Sequence, residues 1–313
     1  MNSNPRILVT GGAGYLGSIL VPTLLARGCA VTVVDNFLYG QTSLLDCCAY
    51  ENFAVVRGDV RDERLMLPLL KKADVVMPLA CLVGAPLCAQ KPNEARSINL
   101  DAILMLLKNA AKSQKFISPT TNSGYGVGQA GVFCTEETPM NPISLYGVLK
   151  VELEQALLDA GAISLRLATV CGVSPRMRLD LLVNDFTYRA VVDRFVVLFE
   201  AHFKRNYVHV RDVARAFCHA LDNFDQMKGQ PYNVGLSDAN LSKMELCQEI
   251  QKQIPDFTIM EAPIGKDPDQ RNYVVSNAKI EATGYRTQVS IQRAIAELIK
   301  GYQIVRRNQH ANV

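Results

Sequence analysis

The sequence predicts an α/β fold, a doubly wound parallel sheet followed by a smaller C-terminal domain, and three observations predict it. Short apolar runs alternate with helical patterns through the first half of the chain. The first run opens into a glycine turn and a helix. The second run ends on a carboxylate. Strands separated by helical segments are joined in parallel by crossovers, which leaves helices on both faces of the sheet.

Ile7, Leu8 and Val9 form the first apolar run and feed a turn in which Gly11, Gly14 and Gly17 are each separated by two residues. A helical pattern continues over residues 15–27 through Leu20, Leu24 and Leu25. Glycine lets the backbone turn sharply and approach a diphosphate with no Cβ in the way, while the helix N-terminus supplies amide donors and a positive dipole end. The stretch predicts a bound dinucleotide contacted by Gly11, Gly14, Tyr15, Leu16 and Gly17. The next run, 30–34, ends in Asp35, 18 residues beyond Gly17. A carboxylate at that strand tip accepts from the adenosine ribose hydroxyls and repels a 2′-phosphate. Asn36 and Phe37 follow, with no Arg to hold such a phosphate. NAD is expected, with Asp35 and Asn36 at its ribose.

A third strand over 53–57 leads into Gly58, Asp59 and Val60. Asp59 can accept from the adenine amino group, or Asp59 or Asp62 can cap a helix opening at Glu63. The fourth, 75–79, runs into Leu79, Ala80 and Cys81, small residues that let a cofactor lie across the strand ends. Helices over 93–111 and 145–160 flank a strand at 116–117, and a further strand covers 162–167. Within the second helix, Tyr146 and Lys150 stand one turn apart on one face, and no other tyrosine has a lysine four residues on. A phenol titrates near pH 10, so a phenolate at neutral pH needs roughly 4 kcal/mol of preferential stabilisation. An ammonium and a cationic nicotinamide ring together can supply it, which makes Tyr146 a base toward a hydroxyl.

Composition excludes other classes. The 313 residues are 49% apolar and carry 33 basic against 30 acidic groups, a formal charge of +3 with no basic block. Neither nucleic acid nor an anionic membrane surface is therefore an expected partner. No apolar run spans a membrane, and the first residues show no leader pattern, so a cytoplasmic protein is expected. Nine cysteines, an odd number without a Cys-x-x-Cys, and four scattered histidines predict neither disulfides nor a metal site.

The ordered motifs resemble those of an extended short-chain dehydrogenase/reductase of the NAD-dependent nucleotide-sugar epimerase/dehydratase family. They are Thr10 to Gly17, Asp35-Asn36, Asp59, Asn99, Thr121 before Tyr125-Gly126, Thr135 to Thr138, Tyr146-x-x-x-Lys150, and Arg205 to Asp212. The resemblance implies a Rossmann-type NAD domain over 1–172, to which 207–235 return, and a substrate domain over 173–313. It implies tightly bound NAD, Thr121 at the sugar hydroxyl, Tyr146 as base, Lys150 at the nicotinamide ribose and Asn99 as a support near the cofactor. It also implies a homodimer through the helices over 93–111 and 145–160. Thr169 stands where the family usually has an Asn near the diphosphate. Arg205, Lys266 and Arg271 are candidates for the diphosphate. A lid-like helix is expected after Ser174, with Arg176, Arg178 and Asn184 toward sugar or nucleotide.

The residues after Thr121 discriminate among reactions. A 4,6-dehydratase of this pattern carries an acid pair there to take the C5 proton and protonate the C6 hydroxyl. Here Asn122 and Ser123 stand in its place, substrate contacts without acid or base capacity near neutral pH. The stretches 121–126 and 175–186 resemble most the subgroup that oxidises C4 of GDP-manno-heptose for bacterial capsule sugars, where 2-oxoglutarate can reoxidise the cofactor. The expectation is a 4-dehydrogenase, with a 4-epimerase as the alternative.

Overall fold

The computed structural model describes residues 4–129, 131–265 and 271–305; Lys266 and residues 306–313 lie outside the described residues. Strands β1 (Arg6–Thr10), β2 (Ala30–Asp35), β3 (Phe53–Arg57), β4 (Val75–Pro78), β5 (Lys115–Thr121), β6 (Ile163–Leu167) and β7 (Pro231–Val234) pair in parallel. Their order is β7-β6-β5-β4-β1-β2-β3. The direction of winding reverses between β1 and β4, and a crevice opens at the carboxyl ends of these two strands.

The helices are α1 (Gly17–Ala26), α2 (Glu63–Leu70), α3 (Ala102–Asn109), α4 (Leu145–Asp159), α5 (Leu182–Val192), α6 (Val210–Asp222), α7 (Lys243–Gln251) and α8 (Ile291–Gly301). Alternation along the strands assigns the faces. Ile7 and Val9 of β1 pack with Leu20 and Leu24 of α1 and with Val213 and Phe217 of α6. Leu8, between them, packs on the other face with Met66 of α2, Ile103 of α3 and Leu149 and Leu153 of α4. A separate core joins α5, α7 and α8 through Val183, Leu246, Ile250, Ile295 and Leu298.

Two expectations need correcting. The strand near 116–117 is longer, Lys115–Thr121, because its backbone pairs with β6 through a polar run that hides it from an apolar search. Residues 207–210 do not return to the large sheet. Lys204–His209 pairs with Thr169–Cys171 and with Asn240–Ser242 in a separate three-stranded sheet. Its alternating apolar pattern suits any sheet, and the partner is set by the tertiary fold; it is α6, which follows at once, that packs back on the large sheet.

Candidate active site

The site is built where β1, β2, β4 and β5 end. Gly11 follows β1 at φ +66°, and a Cβ on it would sit 2.6 Å from Ala80 Cα, so the turn and the loop after β4 touch. A Cβ on Gly17 would run into the Gly12 carbonyl. Gly14 differs: its φ is not left-handed, and a Cβ would meet only the Gly11 carbonyl oxygen, at 3.2 Å. Packing and backbone conformation account for the first and third glycines, while packing requires no glycine at the second, whose role as a diphosphate contact is a proposal. No side chain caps α1, so its first turn is left to other acceptors.

Asp35 closes this corner. Its Oδ2 accepts from Ala13 N at 2.9 Å and its Oδ1 from Phe37 N at 2.8 Å and Gln41 Nε2 at 3.3 Å. Burial raises its carboxyl above the ordinary range, and the two backbone donors oppose that. A carboxylate has about four acceptor positions, so one remains for a ribose hydroxyl among the described residues. The turn, Asp35, Leu79 and Ala80 therefore fit the diphosphate and adenosine of NAD. Asn36 is exposed beside them, its Oδ1 taking Leu38 N.

Across the crevice, the Ser144 hydroxyl caps α4, accepting from Gly147 N at 3.2 Å. One turn on, buried Lys150 donates from Nζ to the Pro119 carbonyl at 3.2 Å. That bond sets the Tyr146 face of α4 along the end of β5, where Thr121 lies. Thr121 Oγ1 donates to Ser123 Oγ at 2.9 Å and accepts from Ser123 N at 3.1 Å. Burial pushes the Tyr146 phenol well above its ordinary range; the Cys81 and Cys88 thiols add to this, while the Arg178 and Arg271 guanidinium groups oppose it. The protein alone thus keeps the phenol protonated, and a cationic nicotinamide ring beside it would favour the phenolate.

Asn99 is wholly buried and mimics a peptide toward the loop after β4, accepting from Leu82 N at 2.8 Å and donating to Leu82 O at 2.9 Å. Arg271, expected at a diphosphate, donates from Nη1 to Ser123 Oγ and so joins the Thr121 end of the site. Arg205 is buried with its guanidinium 5.7 Å from the centre of the Tyr273 ring. Arg178 forms a two-point pair with Asp180, and Arg176 lies over the Tyr39 ring at 4.5 Å. Asn184 is fully buried; its Oδ1 accepts from Gly172 N and its Nδ2 donates to Arg178 O, so it shapes residues 172–178 from behind. Asp59 is held in a two-point pair by Arg61, which draws its carboxyl below the usual range. The cap of α2 is Asp62, and Val60 joins the core.

Sequence reasoning missed the support behind the strand that carries Thr121. Glu154 lies four residues past Lys150, and its carboxylate forms a buried pair with Arg166 at 2.7 Å. It also accepts from Thr120 Oγ1 at 2.9 Å and Ser164 Oγ at 2.6 Å. Arg166 reaches on to Tyr125 OH at 2.9 Å, which itself donates to Asn233 Oδ1 at 2.8 Å. The extension of Tyr-x-x-x-Lys by a further four-residue step to Glu was the available signal. No metal-binding group of His, Cys, Asp and Glu occurs among the described residues, and no helix among them is long and apolar enough to cross a membrane.

Comparisons with known proteins agree with this geometry. The chain is 27% identical over 313 residues to UDP-glucuronic acid decarboxylase 2 of Arabidopsis thaliana, covering 95% of this chain and 68% of that protein. It is 28% identical over 270 residues to a UDP-glucose 4-epimerase of Corynebacterium glutamicum, covering 78% and 80%. Its structure matches that of Thermus thermophilus UDP-glucose 4-epimerase in complex with NAD at a TM-score of 0.81, with 26% identity over 96% of this chain and all of the other. The model of the NAD dependent epimerase/dehydratase family matches residues 7–235, most of the chain, and with the nucleotide turn, Asp35 and the Tyr146-Lys150 pair in place, the protein belongs to that family of enzymes.

Proposed function

We propose that the chain oxidises C4 of a nucleotide-linked sugar, a GDP-heptose or GDP-hexose, to the 4-keto sugar and releases it as product, within bacterial surface-polysaccharide synthesis. The observation that carries this reading is the set around Thr121. Thr121, Tyr146 and Lys150 supply the means to take a hydroxyl proton, while the two positions after Thr121 supply no carboxylate. Asn122 is buried, and Ser123 is held between Thr121 and Arg271.

NAD, when bound, supplies the hydride acceptor and a positive charge near the phenol. Thr121 Oγ1 orients the C4 hydroxyl, and Tyr146 takes its proton as hydride leaves C4. Lys150 favours the phenolate by charge and stays aimed by its bond to Pro119. Arg205 and Arg271 hold the diphosphate and sugar side by charge-assisted hydrogen bonds. With neither acid nor base at residues 122 and 123, the 4-keto sugar is not committed to losing water. Turnover would then need a second substrate, such as 2-oxoglutarate, as the final hydride acceptor. Assembly as a homodimer through residues 93–111 and 145–160 belongs to this proposal, and sedimentation at micromolar protein concentration tests it.

The similarity to UDP-glucose 4-epimerases favours a second reading, in which the keto sugar turns over and takes the hydride back. Incubation with GDP-, UDP- and dTDP-linked sugars, with and without 2-oxoglutarate, separates the outcomes by product mass. Loss of two hydrogens supports the dehydrogenase, and an isomer of unchanged mass supports the epimerase. Loss of water or of carbon dioxide overturns both readings.

A further inference from the structure

Two segments from different parts of the chain are fixed to the glycine turn on either side of Gly14. On one side, the loop after β2 is tied down by Ser43 Oγ, which donates to Ala13 O at 2.7 Å, and by Asp35, which accepts from Ala13 N and Phe37 N. Phe37 is held there at φ +55°, a conformation that non-glycine residues rarely adopt and that concentrates at ligand clamps. Gln41 donates to Asp35 Oδ1 at 3.3 Å and accepts from Tyr39 N at 3.1 Å, so Tyr39 is placed by the same carboxylate.

On the other side, the stretch after Gly172 is tied to Tyr15 and α1. Ser174 Oγ donates to Tyr15 O at 2.7 Å and lies 2.7 Å from Ser18 Oγ, while Tyr15 OH donates to Gly172 O at 2.7 Å. The two segments meet where the Arg176 guanidinium lies 4.5 Å from the centre of the Tyr39 ring. Arg176 is 5% exposed, so this stacked cation is largely desolvated, the setting in which such contacts hold best. The anchors fall on residues 13 and 15, directly flanking Gly14, where a Cβ would meet only the Gly11 carbonyl oxygen.

We infer that Tyr39 and Arg176 form a clasp across the glycine turn that holds NAD in the site through turnover. The clasp rests on the assignment of NAD to the turn and is independent of whether the hydride returns to the sugar. With the clasp in place, NAD would stay in the site from one turnover to the next.

The test is exchange of bound NAD for isotopically labelled NAD in the purified holoenzyme. The parent should survive gel filtration with its cofactor and exchange slowly. Tyr39→Ala and Arg176→Met should each speed exchange roughly tenfold, the size expected for loss of a desolvated cation–π contact. Tyr39→Phe keeps the ring and should stay within about twofold of the parent. Tyr39 is 42% exposed, on a surface loop, so its replacement leaves the core intact and the result is readable. A parent that loses NAD on gel filtration, a Tyr39→Ala variant that exchanges like the parent, or a Tyr39→Phe variant that exchanges as fast as Tyr39→Ala overturns the clasp. Product masses are unaffected by any of these results, so failure of the reaction assignment is a separate outcome.

Discussion

Lys150 Nζ donates to the Pro119 carbonyl oxygen at 3.2 Å, and the bond fixes how α4 lies along the end of β5. Glu154, one turn later, takes Thr120 Oγ1 at 2.9 Å, so the helix grips two successive strand residues just before Thr121. The ammonium is thereby held on the same helix face as the Tyr146 phenol.

The sign of the pH dependence follows. Burial holds the Tyr146 phenol high, and only the phenolate acts as base, so the rate of NAD reduction should rise as pH rises. Lys150→Met removes a favourable charge and should move that rise to higher pH by about one unit or more. Initial rates of nicotinamide reduction across neutral to alkaline pH measure it. An unmoved midpoint would show that Lys150 only spaces the helix from the strand.

Tyr146→Phe tests the base itself. The ring stays in its packing against the core on the α4 face of the sheet, so the thermal midpoint should change little. NAD reduction by any sugar nucleotide should fall by roughly 10²–10⁴-fold, the range for loss of a positioned base. Turnover near the parental rate would assign the proton transfer to another group.

The buried pair behind the strand gives a stability prediction. The Glu154 and Arg166 side chains are each 6% exposed, so Glu154→Gln leaves a guanidinium buried without its counter-charge. The expected loss is about 3–5 kcal/mol, read as a lower urea midpoint. A loss below about 1 kcal/mol would mean that Tyr125 and the Glu136 carbonyl, which also accept from Arg166, suffice to hold it.

These contrasts show which parts were legible in the sequence. The placement of the glycine turn, Asp35 and the Tyr146-Lys150 pair could be read because each is set by local spacing: a turn after a strand, a strand tip, one helical turn. Polar side chains whose partners are distant could not. Asp59 is held by Arg61, and Asn184 bonds Gly172 and Arg178, yet from the sequence each looked equally suited to a ligand. Strand β5 was cut short for a related reason, since Ser118 and Thr120 are polar yet buried, and Thr121 is half-buried at its end. Lys204–His209 carries the alternation of a half-buried strand, and alternation does not name the sheet it joins.

The glycines of the turn give a sharper test because packing requires glycine at Gly11 and not at Gly14. Gly11→Ala forces a Cβ to 2.6 Å from backbone atoms of Ala80 at φ +66°, so it should lower folding stability by about 1–3 kcal/mol with or without cofactor. Gly14→Ala meets one carbonyl oxygen at 3.2 Å, which a small backbone shift relieves, so the free protein should lose at most about 1 kcal/mol. If the diphosphate lies on that face, as proposed, the added Cβ should lower NAD affinity by at least about tenfold. Chemical denaturation and NAD titration of the two variants separate these effects. Equal losses of stability in both would mean that Gly14, too, is there for packing, and the diphosphate would then have to be placed elsewhere along the turn.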